Sequence, residues 1–124
     1  GYLPDWNPSK EEQPTGYILI LISDKENKWA SRDAGLAAAN ICLAAENENL
    51  GSCILLNIKQ DNIREILNIP DKYVIDSLVA LGYKNEKCKA TDMEDDSIKY
   101  FRDSNDVLIV PKRRKENCIF YNKI

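Results

Sequence analysis

The side chains best suited to chemistry in this chain are few and unevenly placed. Four consecutive cations, Lys112, Arg113, Arg114 and Lys115, follow Pro111, and the carboxylates Asp92, Glu94, Asp95 and Asp96 precede them. Taken alone, the basic run reads as a solvated charge segment balancing those acids. The acids lack the ligand spacing and the glycine of an EF-hand loop, so they read as a solvated loop. Cys42, Cys53, Cys88 and Cys118 form no CxxC pair. Cys53 has no basic neighbour in sequence to activate its thiol, and a packing role is expected. Histidine is absent. That removes any Ser–His or Cys–His couple and any histidine metal site. With no GxGxxG or GxxxxGKS run, the usual phosphate cradles are missing too. If the chain is part of an enzyme, the difficult chemistry falls to a cofactor.

The elements that would position these groups follow from periodicity. Residues 1–15, with Pro4, Pro8 and Pro14, read as an irregular loop whose apolar Tyr2, Leu3 and Trp6 have no local element to pack against. Tyr17 to Ile22 is a continuous apolar run and reads as a buried central strand. A polar connection leads to Asp33, a candidate N-cap. The helix from Ala34 to Glu48 would span about 22 Å. It stops at Asn49-Leu50-Gly51, with Gly51 suited to the left-handed conformation. Ser52 to Ile58 reads as a second strand, 61–67 as a short helix closed by Pro70, and Tyr73 to Tyr83 as a third strand. Asn85 to Asp96 reads as an exposed loop. Ser97–Arg102 and Val107–Val110 are expected to pair as a hairpin across 103–106. The tail, with Cys118, Ile119, Phe120, Tyr121 and Ile124, is too apolar for a free terminus and is expected to dock as a strand or to cross onto a partner.

Length and charge narrow the class. The chain has 124 residues, 44% of them hydrophobic, and its 17 basic and 20 acidic side chains leave a net charge of −3. One domain is expected, and broad attraction to nucleic acid is not. No apolar run reaches the length of a membrane span and no signal-peptide pattern opens the chain, so a reduced, cytoplasmic protein is expected. Between Ala34 and Ala45 the only strongly polar residue is Asn40. A helix apolar nearly all round must be buried on several sides, and a short chain rarely supplies that much cover. A partner subunit or another part of the same fold is therefore expected over it. Asn40 is a candidate for a hydrogen bond across such a seam or to a nearby loop. Trp6 and Trp29 read as loop aromatics anchored to the core.

These segments carry a resemblance. DAGLAAANICLAAENENLGSCILL, residues 33–56, resembles the central helix and following strand of the nitroreductase family of FMN-dependent NAD(P)H oxidoreductases. IPDKYVIDSLVALGYKNE is similar to the family segment of short helix, proline turn and strand, and IKYFRDSNDVLIVPKRR to its C-terminal region. The similarity runs from about Tyr2 to the end. It implies an α+β sandwich, a mixed sheet packed with helices, in which residues 1–124 form a single domain. That domain would be the C-terminal portion of a nitroreductase-like fold, because the family's N-terminal Arg-Arg-Ser-type motif is not in this chain.

The resemblance also implies a function. Hydride from NADH or NADPH would pass through bound FMN to nitroaromatics, quinones or similar small acceptors, in a homodimer built on the Ala34–Ala45 helix. No side chain here is implied as catalytic. Ile54, Leu55, Leu56 and Asn57 match the strand beside the isoalloxazine ring, where backbone groups meet its reactive edge. Many relatives carry glycine where Leu56 stands. Lys112, Arg113 and Arg114 match the element that reaches the FMN phosphate, a role suited to ammonium and forked guanidinium donors. The other reading is a non-catalytic α/β dimerisation or ligand-binding module, derived from this fold without productive flavin binding.

Overall fold

The computed structural model describes residues 7–122. They divide into two compact units, one over Ser9–Lys84 and one from Asn85 onward that also includes Asn7 and Pro8. Among the described residues there are two α-helices and two three-stranded sheets, an α+β arrangement.

In the first unit, β1 (Gly16–Ile22), α1 (Ala30–Asn47), β2 (Leu50–Leu55), α2 (Gln60–Leu67) and β3 (Val74–Tyr83) follow in order. The sheet order is β1-β3-β2. Both β1 and β2 run antiparallel to β3. They are therefore parallel to each other, and α1 supplies the crossover that parallel strands require. The buried central strand is β3. The YILILI run lies in an edge strand with Tyr17, Ile18 and Leu21 exposed. Chain order misleads here because β3, last of the three, inserts between the two strands joined by α1. A bulge leaves Asp76 without a partner, as Ile20 faces Ser77 and Leu21 faces Ile75.

The core of this unit is small. Ile75, Val79 and Ala80 of β3 are buried with Ala34, Ala38 and Ala45 of α1. The three alanines fall at i, i+4 and i+11, one helical face, and their methyl groups let α1 lie close on the sheet. α1 touches all three strands. Ser77 is buried among these residues, and its hydroxyl finds no partner within the described chain.

α1 begins a turn earlier than its sequence suggests. Asn27 accepts the Trp29 N–H on its side chain (3.0 Å) and the Ala30 N–H on its carbonyl (3.1 Å), and this folds the chain into the helix before Asp33. Asp33 lies in the first turn, where its charge still suits the dipole. At the other end Asn49, not Gly51, takes the left-handed conformation (φ 59), and Gly51 is already in β2. α2 closes on Asn68, also left-handed. The Arg64 guanidinium then donates to the carbonyls of Ile69 (3.1 Å), Pro70 (3.0 Å) and Tyr73 (3.0 Å), fixing the turn into β3.

The second unit holds β4 (Cys88–Asp92), β5 (Phe101–Arg102) and β6 (Leu108–Lys112), in the order β4-β6-β5. The expected hairpin is present: β5 pairs antiparallel with β6, Phe101 opposite Ile109. Asp103 organises its turn, its carboxylate accepting the N–H groups of Asn105 (2.8 Å) and Val107 (3.0 Å). Residues 88–92, read as loop, form a strand parallel to β6. All five are exposed, so the ladder rather than burial holds them, and no apolar alternation marks the strand in the sequence. The tail forms a short 3-10 turn at Lys115–Asn117, and Ile119, Phe120 and Tyr121 are exposed with no strand following among the described residues. Tyr2, Leu3, Trp6 and Ile124 lie outside the described residues.

Candidate functional site

Two groups of residues were singled out by sequence, and the fold places them in different units. The first is the exit of β2. Its ladder with β3 ends at the pair Leu55–Leu78. Leu56 and Asn57 lie past the last paired residue, where the backbone is no longer committed to a neighbouring strand. Ile58 N–H donates back to the Leu56 carbonyl at 3.1 Å, turning the chain toward α2. Ile54 is exposed, Leu55 half-buried, and the Leu56 side chain is 70% exposed. This stretch can offer peptide groups and an apolar surface to a flat ligand. It holds no side chain able to act as acid or base.

The second group is the basic run at the end of β6. Lys112 is the last residue of that strand, paired in register with Asp92 of β4, and its carbonyl accepts the Met93 N–H at 2.8 Å. Arg113 and Arg114 follow outside the strand, Arg114 in extended backbone leading to the 3-10 turn. All four cations, Lys112 to Lys115, are exposed. Arg114 is partly committed, because its Nε lies 3.2 Å from Asp92 Oδ2. Among the described residues, Lys112 and Arg113 form no ion pair, and Glu94, Asp95 and Asp96 form none with the run. Charge balancing is thus confined to one acid, and Lys112 and Arg113 keep their donors. Such a donor set fits a phosphate dianion. Asp92 also lines a groove of about 690 Å³ in this unit, with Thr91, Tyr100, Phe101, Ile109 and Pro111.

Other candidates resolve differently. The four cysteines are free; Cys53 is exposed, so the packing role expected for it is not met within the chain. Trp29 is 48% exposed, with the Lys28 ammonium (4.9 Å) and the Arg32 guanidinium (4.5 Å) over its ring. No group of carboxylates and cysteines among the described residues is placed to hold a metal ion. None of the described helices is long and apolar enough to cross a membrane.

α1 keeps apolar side chains uncovered within the chain. Only Ala34, Ala38 and Ala45 are buried, while Leu36 is 64% and Leu43 68% exposed. Asn40, between them on the same side, is exposed as well.

Comparisons with known proteins bear on both units. No curated protein matches the chain significantly. Among solved structures, an FMN-dependent nitroreductase from Clostridium difficile shares the fold with a TM-score of 0.56 at 24% identity, over 87% of this chain and 57% of that one. A nitroreductase family protein from Streptococcus pneumoniae is 30% identical over 53% of this chain and 33% of that one, with a TM-score of 0.48. The chain therefore spans little more than half of the first relative's length and a third of the second's. The family model for nitroreductases matches residues 10–83, more than half of the chain, and the chain belongs to the nitroreductase family.

Proposed function

We propose that this chain forms part of an FMN-dependent oxidoreductase that draws hydride from NADH or NADPH and reduces small conjugated acceptors such as nitroaromatics or quinones. The observation that carries the reading is the family match over residues 10–83, which takes in both α1 and the β2 exit. The FMN-dependent relative from Clostridium difficile supports the choice of cofactor.

When bound, FMN supplies the redox chemistry, taking hydride from the reduced nicotinamide and giving electrons to the acceptor. The chain's own residues bind and orient. Peptide groups of Ile54, Leu55, Leu56 and Asn57 serve the ring edge. Lys112 and Arg113 hold the phosphate, with Arg114 as a third donor.

Two copies are proposed to meet along α1, because Leu36 and Leu43 leave apolar surface that association would remove from water, at roughly 25 cal/mol per Å². Sedimentation showing a monomer at high micromolar concentration would remove this part.

The alternative, a module of the same fold that binds no flavin productively, draws on Leu56, a bulky residue where many relatives have glycine. Colour separates the two readings. Protein that carries a flavin spectrum, releases FMN on denaturation and bleaches with NADPH supports the oxidoreductase. Colourless protein that leaves the spectrum of added FMN unchanged supports the module.

A further inference from the structure

Asp92 stands in an unusual relation to the proposed phosphate donors. Its position is fixed by the β4–β6 ladder, which sets it opposite Lys112. Cross-strand neighbours on a parallel ladder share a face, so Asp92 and Lys112 project from the same side of the sheet without forming an ion pair. The same carboxylate reaches Arg114, Oδ2 to Nε at 3.2 Å, with the two side chains 65% and 60% exposed. One acid on a fixed strand thus engages one of the three cations assigned to the phosphate. No ion pair engages Lys112 or Arg113 among the described residues.

We infer that Asp92 is an internal counter-anion that competes with the phosphate for Arg114 and lowers the site's affinity for it. The inference rests on the phosphate role proposed above. Without a ligand, Asp92 neutralises Arg114. A bound phosphate must draw the guanidinium away and tolerate a carboxylate near its own charge. Exposed pairs of this kind are weak, so the competition tunes affinity without blocking binding. It also makes phosphate the part of the cofactor on which discrimination acts. Riboflavin, which lacks that group, should be indifferent to Asp92.

The test compares FMN and riboflavin affinities, measured by flavin fluorescence, for the wild type, Asp92→Asn and the double variant Lys112→Ala/Arg113→Ala. Asp92→Asn should bind FMN about threefold to fivefold tighter, the size of an exposed ion pair. Its riboflavin affinity should be unchanged. The double variant should bind FMN at least tenfold more weakly, again with riboflavin unaffected. If the double variant weakens FMN but Asp92→Asn leaves it unchanged or weakens it, the counter-anion role is wrong and the phosphate site stands. If the wild type binds no FMN, or the double variant binds it normally, the functional reading falls and this inference with it.

Discussion

The Ser9–Lys84 unit and the unit from Asn85 onward are held together by different physics. Among the described residues the buried ones, Ala34, Ala38, Ala45, Ile75, Ser77, Val79 and Ala80, lie in the first. Its central strand is ten residues long and paired on both sides. In the second unit no described residue is fully buried. There the five-residue β6 is paired along its length with β4 and by two residues with β5, and carboxylates and guanidinium groups organise the turns. Hydrophobic burial is the larger stabilising term, whereas exposed ion pairs contribute little. The contrast puts the buried core in one unit and the exposed, charged part of the proposed site in the other. A phosphate grip built on exposed cations suits a surface that costs little to rearrange.

Substitutions can sharpen or break this contrast. Ile75→Ala removes a side chain that is 2% exposed and should cost about 2–4 kcal/mol in urea unfolding, because the helix above it cannot close the gap fully. A loss under 1 kcal/mol would mean that the alanine face of α1 collapses easily. Asp103→Ala removes the acceptor for two turn N–H groups and should cost about 1 kcal/mol, visible as faster amide exchange at Asn105 and Val107. Glu86→Gln, which discharges one of the two carboxylate partners of Arg102, should change stability by less than about 1 kcal/mol. The contrast fails if either substitution in the second unit costs as much as Ile75→Ala. Without any mutation, amide exchange in β3 should be slower than in β4 and β6.

How much of this was legible in the sequence depends on whether a residue's role is local. The periodicity of α1 and α2 and the apolar runs of β1 and β3 mark those elements to within a turn or a few residues. The hairpin at 101–112 is readable from its polar turn between apolar runs. Sheet order is not local: YILILI is the more apolar run, yet VIDSLVALGY, which carries Asp76 and Ser77, lies between the other two strands. Cys-Lys-Ala-Thr-Asp, residues 88–92, is a strand only because β6 lies beside it. The left-handed turn after α1 fell to Asn49, since asparagine tolerates that conformation and Gly51 was already needed in the ladder.

The candidate site divides in the same way. The basic run was visible as four letters in a row, and its balancing by Asp92 was one of several pairings open in the sequence. Only the β4–β6 register selects Asp92 over Glu94, Asp95 and Asp96. The apolar character of α1 pointed to outside cover; within the chain Leu36 and Leu43 are exposed.

The most direct test of the proposed flavin site is a map of backbone amide chemical shifts during an FMN titration. Saturable changes are predicted in each unit by itself: Leu55, Leu56 and Asn57 at the exit of β2, and Lys112, Arg113 and Arg114 after β6. Changes confined to one of these segments, or none in either at saturating FMN, would contradict the proposed site.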